Sequence, residues 1–405
     1  MKPLHREFME KQADMIRHKI LSADGNLSDQ AVLRIIEDQV LENQIDMDLQ
    51  TCREVILRIF AKIRSKLGML QRYIEDESIN EIMVNGRENF FYEDGMGIHR
   101  VEDVFDSTEE LEEIIRNIAA DVHREINEMN PILDARLKNG SRVNAVYKNV
   151  AVGGPVLTIR KFSKDRLTAA DMVRRGTLTQ QCADYLCAAV ECGYNLFVSG
   201  GTSSGKTTFL NAISDFIPEN ERVIVIEDST ELQIGNIPNL VQMECHNANS
   251  MGQGSVSMDM LIRTSLRMRP DRIIVGEVRG KEVADMLQAM NTGHSGSMST
   301  GHGNSVTGML RRLEAMYLMS ARIPMDAIRA QIVEGIDLMI HMARFRDGSR
   351  RVVEVQELLD FENGKYRLNP LFRLNSDMEL VFTGNALVNR SKLALKGYED
   401  DGRLQ

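Results

Sequence analysis

The chain has 405 residues, of which 43% are hydrophobic, and its 49 basic and 59 acidic side chains give a formal net charge of −10. This length and composition predict a globular protein of roughly two or three domains, each with its own buried core. The acidic balance argues against duplex nucleic acid as the main partner.

The sequence contains no run of about eighteen or more apolar residues, and its charged amino terminus lacks a signal-type apolar segment. We therefore expect a cytoplasmic protein. The 5 cysteines form no C-x-x-C pair, which predicts reduced thiols and no structural zinc site.

Residues 1–70 are predicted to form a helical bundle or docking region, with breaks around Asp24-Gly25-Asn26 and Asp46-Met47-Asp48. Thr51 and Glu54 fit a capping box at the start of the clearest helix. The predicted apolar face of this helix comprises Ile56, Phe60, Ile63 and Leu67.

Residues 71–160 change to short strands separated by glycine turns, a pattern that predicts a second domain of α+β type. The first strands are expected at residues 82–84 and 90–92. Ser107 and Glu110 form a capping-box signature at the start of a helix. The predicted apolar face of that helix comprises Leu111, Ile114, Ile115, Ile118 and Val122.

Residues 161–178 begin with a polar, charged run and are predicted to be an interdomain linker. Residues 179–405 alternate helix and strand patterns, which predicts an α/β domain with a mainly parallel sheet and helices on both faces. Asp347-Gly348 and Asn363-Gly364 lie between strand-like runs and predict two hairpins that extend the edge of this sheet.

The run from Gly200 to Thr207 fits the motif G-x-x-x-x-G-K-[ST], between an apolar strand and a helix that opens at Lys206. Such a loop turns its backbone N–H groups around phosphate oxygens, at the positive end of the helix. Lys206 is predicted to reach the β- and γ-phosphates, and the Thr207 hydroxyl to ligate Mg²⁺. A plain strand-to-helix turn is the alternative, but the Lys-Thr pair in register favours ATP or GTP. The predicted nucleotide-binding residues of this loop are Gly200, Gly201, Thr202, Ser203, Ser204, Gly205, Lys206, Thr207 and Thr208.

Acidic residues follow two predicted strands of the same domain. Glu277 ends the apolar run 272–276, in the position from which a carboxylate can meet hydrated magnesium. Glu227 and Asp228 end the run 223–226, and one of them is a candidate to orient or deprotonate the attacking water. Helix capping and solvated loops are the alternative explanations for each acid alone.

Two similar glycine-flanked histidines, His294 and His302, lie on either side of a short predicted strand downstream of Glu277. A single surface histidine would be unremarkable. A pair in this position is consistent with a sensor that contacts the γ-phosphate and passes its presence to the next subunit.

Four motifs occur in the order found in the type II/type IV secretion ATPases, which the chain resembles. They are GGTSSGKTT (Gly200–Thr208), VIVIEDSTEL (Val223–Leu232), RMRPDRIIVGEVRG (Arg267–Gly280) and TGHSGSMSTGHGNS (Thr292–Ser305). Upstream, DARLKNGSRVN (134–144) and LTIRKF (157–162) resemble the CpaF-like branch, which serves tight-adherence (Flp-type) pili. The resemblance extends over about residues 79–359.

This resemblance implies a RecA-like P-loop core in residues 179–405, preceded by a smaller α+β, PAS-like domain. It implies a homo-hexameric motor at the cytoplasmic face of the inner membrane, where ATP hydrolysis with Mg²⁺ drives pilus assembly, retraction or secretion. The implied partner is an inner-membrane platform protein, so membrane association would be peripheral and through partners. No specific nucleic acid is expected.

The resemblance also implies roles for single residues. Glu227 matches the water-activating acid, and Glu277 belongs to Walker B, with metal contact through water, although the division between these two acids stays open. His302 and His294 occupy the fourth motif, TGHSGSMSTGHGNS, which is the His box of the family. Arg142 and Arg160 match arginines that reach the nucleotide phosphates, as an arginine finger does. Their alternative explanation is that of surface arginines in a polar loop.

Two other functions remain to be separated from a secretion motor. A RecA-like DNA-translocating ATPase would share the core, but the acidic balance and the lack of interleaved aromatic and basic residues oppose it. A regulatory scaffold that binds nucleotide without turnover is opposed by the presence of Lys206, Glu227 and Glu277.

Overall fold

The computed structural model describes residues 16, 28–42, 48–102, 104–105, 107–162, 166–246 and 253–396. The chain divides into two compact units, Met1–Lys164 and Asp165–Gln405. Their boundary falls inside the predicted linker, while the finer division into four segments stays a prediction. The predicted helix break at Asp24-Gly25-Asn26 lies outside the described residues.

The helices, in chain order, are α1 Asp29–Glu42, α2 Leu49–Arg64, α3 Gln71–Glu75, α4 Thr108–Asp121, α5 Ala169–Arg174, α6 Gln180–Glu191, α7 Lys206–Ile213, α8 Met258–Ser265, α9 Val283–Asn291, α10 Val306–Tyr317, α11 Met325–Gly335 and α12 Ser391–Lys396. The strands are β1 Ile79–Asn85, β2 Asn89–Asp94, β3 Gly97–Val101, β4 Ile132–Arg136, β5 Arg142–Val146, β6 Val156–Arg160, β7 Leu196–Gly200, β8 Val223–Glu227, β9 Leu240–Glu244, β10 Arg272–Val275, β11 Met298–His302, β12 Leu338–Arg344, β13 Arg350–Glu362, β14 Lys365–Leu374 and β15 Leu380–Phe382. Among the described residues, no helix has the length and apolarity that a membrane crossing requires.

The amino-terminal unit contains a six-stranded antiparallel sheet in the order β3-β2-β1-β6-β5-β4. Ser107 caps α4 by accepting the N–H of Glu110, so the predicted helix start is confirmed. The apolar face of α4 is buried with the inward residues of the sheet in one core, and α1 and α2 of the same unit form a separate, smaller core. Alternating burial along β1 and β5 reflects the period-2 geometry of a strand covered on one face.

The predicted capping box at Thr51 is wrong. Helix α2 begins at Leu49, and the carboxylate of Asp48 accepts the backbone N–H of Thr51 at 2.8 Å. Asp48 therefore caps the helix, because its side chain reaches the third helical N–H just as a serine or threonine does. The buried face is centred on Val55 and Ile59, and the predicted Ile56, Phe60 and Ile63 are partly buried against the same core. The predicted Leu67 lies beyond the end of α2 and packs against the other core of this unit.

The carboxy-terminal unit contains a nine-stranded sheet in the order β15-β14-β13-β12-β7-β11-β10-β8-β9. The six strands from β12 to β9 run parallel, and β13, β14 and β15 continue antiparallel. Along β7, Leu196 and Val198 join one apolar core while Phe197 joins the core on the opposite face. Both faces of the sheet are therefore covered, which confirms the predicted α/β fold class.

Two hairpins extend the sheet, as predicted. Asp347-Gly348 connects β12 to β13, and Asn363-Gly364 connects β13 to β14. Asn363 and Gly364 both have positive φ, 53° and 76°, which is the backbone geometry that a tight two-residue hairpin turn requires. The predicted linker contains helix α5, whose Met172 is buried in the core of the carboxy-terminal unit.

Asn195 anchors β7, the strand that leads to the predicted phosphate loop. Its side chain is 2% exposed. Its amide N–H groups donate to the carbonyl oxygens of Gly335 at 2.8 Å and Met290 at 3.4 Å. Its Oδ1 accepts the N–H groups of Gly296 at 2.8 Å and Ser297 at 3.0 Å. One side chain thus joins the starts of β7, β11 and β12.

We expect Asn195→Ala to lower the free energy of unfolding by about 2–4 kcal/mol, because it leaves several buried backbone groups without partners. Urea denaturation followed by circular dichroism measures this loss. The exposed Asn220 of the same unit provides the matched control, and Asn220→Ala should change stability by less than about 0.5 kcal/mol. An Asn195→Ala protein as stable as the wild type would contradict the anchoring role.

Candidate functional site

A loop with left-handed backbone joins β7 to α7. Strand β7 is buried along its whole length and ends at Gly200, and α7 begins at Lys206 after Gly205, whose φ is 89°. A Cβ at Gly200 would lie 2.5 Å from the carbonyl oxygen of Met342, so only glycine fits there. Ser203 also has positive φ, 57°. This geometry is that of a phosphate-binding loop at a helix amino terminus.

Lys206 is 6% exposed and holds its ammonium group over this loop. Its Nζ donates to the carbonyl oxygens of Gly201 at 2.9 Å and Gly200 at 3.2 Å, and lies 3.2 Å from Nδ1 of His302. Burial lowers the pKa of Lys206, whereas the charge of Glu277 opposes that shift. A cation at the start of a helix is positioned to bind phosphate.

His302 connects Lys206 to Glu277. It ends β11 directly opposite Gly200 of the parallel strand β7, which explains why it reaches the loop. Its Nε2 lies 3.1 Å from a carboxylate oxygen of Glu277. Burial and the charge of Lys206 lower the pKa of His302, which favours a neutral ring. An ammonium group can only donate, so Nδ1 accepts from Lys206 and Nε2–H donates to Glu277.

Arg279 continues this series on the other side of Glu277. Its Nε lies 3.0 Å from a Glu277 carboxylate oxygen, and its guanidinium lies 3.6 Å from Asp228. A cavity of about 310 Å³ opens beside these three residues, at the ends of β8, β9 and β10. The carboxylate of Glu277 is thus oriented by His302 and Arg279 and lies next to this cavity.

Glu227 is the last residue of β8, which pairs with β10 in parallel register. The side chain is 4% exposed and accepts the N–H groups of Glu231 at 3.0 Å and Leu232 at 3.1 Å. Burial raises the pKa of Glu227 from its ordinary value of 4.5 to about 7, although these hydrogen bonds oppose the shift. A Cβ at Gly276 would lie 2.8 Å from its Cγ, so this acid packs against the residue before Glu277.

The donor set suits magnesium that is held mostly by other ligands. Thr207 is the second residue of α7 and is partly exposed. Glu277 is connected to Lys206 by His302, which contacts both side chains. Among the described residues, no group of three or more His, Cys, Asp or Glu side chains could hold a metal ion. Mg²⁺ in such a site takes phosphate oxygens and waters as its main ligands. The contact of Glu277 with Mg²⁺ through water stays a prediction.

The structure does not bring His294 to the loop of its own unit. His294 precedes β11, and its Nδ1 lies 3.1 Å from the carbonyl oxygen of Ala289. Strand β11 runs parallel to β7, so its first residue pairs with Leu196 while His302, at its end, pairs with Gly200. The two similar histidine motifs therefore lie at opposite ends of β11. The assignment of His294 to nucleotide binding stays a prediction.

The structure places Arg142 and Arg160 directly opposite each other on β5 and β6 of the amino-terminal unit. They lie at strand ends, not in a polar loop. Arg136 on β4 lies opposite Arg142, and Glu81 on β1 lies opposite Arg160. Only strand pairing adds Arg136 to this row. The approach of Arg142 and Arg160 to a nucleotide stays a prediction.

Sequence reasoning also missed Arg350, whose Nε donates to the carbonyl oxygen of Ser203 in the phosphate loop at 3.0 Å. Arg350 is 144 residues beyond Lys206 in the numbering of the chain. No local motif marks it. Only the pairing of β12 with β7 brings its hairpin to the loop.

Comparison with known proteins identifies relatives over most of this chain. A protein from Methanocaldococcus jannaschii, MJ0781, is 44% identical over 253 residues, which are 60% of this chain and 35% of that protein. The chain thus matches about a third of the length of that relative. The type IV secretion system protein PtlH of Bordetella pertussis is 33% identical over 323 residues, covering 73% of this chain and 95% of PtlH.

Among solved structures, the ATPase DotB of Legionella pneumophila superposes with a TM-score of 0.52 at 22% sequence identity. The match covers 73% of this chain and 80% of DotB. At this identity the likeness shows a shared fold. The family model described as type II/IV secretion system protein matches residues 63–356, a range that contains both arginine-bearing strands and the phosphate loop. The chain belongs to the type II/IV secretion system protein family.

Proposed function

We propose that this protein is a motor ATPase that hydrolyses ATP with Mg²⁺ to drive assembly or retraction of a tight-adherence (Flp-type) pilus, or secretion across the inner membrane. The observation that carries the proposal is the hydrogen-bonded series from Lys206 through His302 to Glu277. It joins a phosphate-binding cation to a carboxylate beside the same loop. Membership of the secretion family supports the choice of reaction.

In this proposal the loop 200–208 binds the triphosphate, and Lys206 leaves the carbonyl oxygens of Gly200 and Gly201 to contact the β- and γ-phosphates. Nδ1 of His302 then loses its donor Lys206 and, once it takes up a proton, can donate to the γ-phosphate. Its bond to Glu277 transmits that change to the acid. Bound Mg²⁺ would neutralise charge on the phosphate oxygens, with Thr207 and, through water, Glu277 as its protein contacts.

We assign water activation to Glu227, as the family resemblance implies. A general base works best with a pKa near the pH at which the enzyme operates, and burial gives Glu227 that property. Glu277 is the alternative base, supported by its position beside His302. Substitution of the two acids separately distinguishes these assignments.

We infer that Arg142 and Arg160 contact the nucleotide phosphates when the two units close on each other. Three arginines, Arg136, Arg142 and Arg160, follow one another across neighbouring strands. Like charges directly opposite on a sheet repel; Glu81, opposite Arg160, offsets part of this cost, and a bound anion would offset more. Guanidinium groups brought to the γ-phosphate by closure would stabilise the charge of the transition state.

We further propose a homo-hexamer in the cytoplasm, at the inner face of the cytoplasmic membrane, docked on a platform protein of that membrane. Membrane association is then peripheral and occurs through partners. The similarity to PtlH, named as a type IV secretion system protein, supports a place in a larger machine. The CpaF-like motifs in residues 134–144 and 157–162 support the pilus branch.

The purified protein is expected to release phosphate from Mg·ATP, and Lys206→Ala is expected to abolish both nucleotide binding and turnover, because the loop loses its cation. Steady-state phosphate release and particle images of the same preparation measure activity and ring formation together. Lys365, exposed in the β13–β14 hairpin, provides the charge-matched control, and Lys365→Ala should retain full activity. Wild-type hydrolysis in Lys206→Ala would refute the site, and strong stimulation by single-stranded DNA would favour a DNA motor.

Arg142→Ala and Arg160→Ala are each expected to lower kcat by about a hundredfold or more while the protein stays folded, because an arginine finger acts mainly on the transition state. Turnover assays and thermal unfolding test this expectation. Arg100, exposed on β3 of the same unit, supplies the control, and Arg100→Ala should leave kcat unchanged. Normal rates in both site variants would show that the two arginines are surface residues.

The raised pKa of Glu227 predicts that kcat/KM falls below about pH 7, since a base must be deprotonated. Glu227→Gln should be slow and lack this acid limb. A persisting limb in that variant would assign the base to another group.

Stability provides an independent measurement of the same pKa shift. Between pH 4.5 and about 7 the folded chain holds a proton on Glu227 that the unfolded chain releases. The contribution of Glu227 to stability is therefore lost as pH rises through this window. Denaturation at several pH values should show a flatter profile for Glu227→Gln than for the wild type.

A further inference from the structure

The hairpin between β12 and β13 stands beside the phosphate loop. Met342 of β12 pairs with Gly200 of the parallel strand β7, at the point where the loop begins. The turn of the hairpin, residues 345–349, follows directly at the same edge of the sheet. Asp347 of this turn binds the guanidinium of Arg351 at 3.1 Å. Arg350 precedes Arg351 on β13 and therefore faces the opposite side of the strand.

Arg350 makes two kinds of contact with the loop. Its Nε donates to the carbonyl oxygen of Ser203 at 3.0 Å. Its aliphatic stem packs over Gly205, where an added Cβ would lie 3.2 Å from Cδ and 3.6 Å from Cβ of Arg350. The side chain therefore covers the last glycine of the loop and binds the residue two positions before it.

The carbonyl that Arg350 binds belongs to a residue with unfavourable backbone geometry. Ser203 has φ of 57°, in the left-handed region that residues other than glycine avoid. Such conformations persist when surrounding contacts hold them. A loop that turns its N–H groups toward an anion turns carbonyl groups outward, where a side chain or water donates to them.

We propose that Arg350 is a positioning residue of the nucleotide site, which holds Ser203 and Gly205 in the conformation that binds phosphate. This inference rests on the proposed function, because it requires the loop to bind nucleotide. Arg350 acts from the outer side of the loop through its Nε–H donor and its stem. A hairpin far along the chain thereby sets the affinity of the loop for nucleotide.

Three substitutions separate the donor from the charge of Arg350. Arg350→Gln places an amide N–H where Nε stands and removes the charge. Arg350→Met keeps an unbranched stem and has no donor. Arg350→Lys keeps the charge but places a methylene at the Nε position. Arg344 lies directly opposite Arg350 on β12, and Arg344→Gln is the matched control for loss of charge on this hairpin.

We expect Arg350→Met to raise the Kd for Mg·ADP about tenfold, because this is the typical loss for one hydrogen bond from a charged donor. The Kd of Arg350→Gln should stay within about threefold of the wild-type value. Isothermal titration calorimetry measures Kd, and turnover assays should show the loss in KM more than in kcat. Arg344→Gln should bind normally. Thermal unfolding should give the same Tm for all these variants, because Arg350 is exposed.

The inference is overturned if Arg350→Met binds Mg·ADP as the wild type does. It is also overturned if Arg350→Gln is as weak as Arg350→Met while Arg350→Lys is normal, since charge alone would then matter. Should Arg350→Met unfold, the comparison of the glutamine and lysine variants still decides. Failure of the proposed function has a different signature: the wild type itself would not bind Mg·ADP, or Lys206→Ala would bind it equally well.

Discussion

The parallel register of β7 between β11 and β12 is the constraint on which the site depends. It pairs Gly200 with His302 on one side and with Met342 on the other. One strand therefore delivers the phosphate loop, its neighbour delivers the histidine, and the other neighbour delivers the hairpin that carries Arg350. A slip of one residue would turn Phe197 and Val198 to the wrong cores, so burial on both faces fixes the register.

The polar and charged side chains beside the loop form a series in which each side chain binds the next by a hydrogen bond or ion pair. Lys206 donates to loop carbonyls and to His302, His302 donates to Glu277, and Glu277 also binds Arg279. A phosphate that draws the ammonium of Lys206 away must alter every later contact in the series. This coupling gives a physical route from nucleotide binding to a carboxylate beside the cavity at the strand ends. Glu227 stands apart, buried against backbone N–H groups, with a pKa raised to about 7.

The chain is built from two compact units. In each unit, charged side chains lie at the ends of strands. The carboxy-terminal unit does so through parallel strands, whose carboxyl ends share one edge. The amino-terminal unit does so through antiparallel pairing, which aligns Arg136, Arg142 and Arg160 on adjacent strands. Glu81 on β1 continues this row beside Arg160.

The sequence alone determined what local spacing encodes: the phosphate loop at 200–208, the alternation of the α/β unit, and the hairpin turns at Asp347 and Asn363. It was misleading at Thr51, where Asp48 offered an equally good cap. Only the tertiary structure decided which histidine reaches Lys206, that Arg136 joins the arginine row, and that Arg350 holds Ser203. These facts depend on which strands are neighbours and in what register. Gly200 pairs with His302 and Met342, which are more than a hundred positions away, and such pairing leaves no periodic trace in the chain.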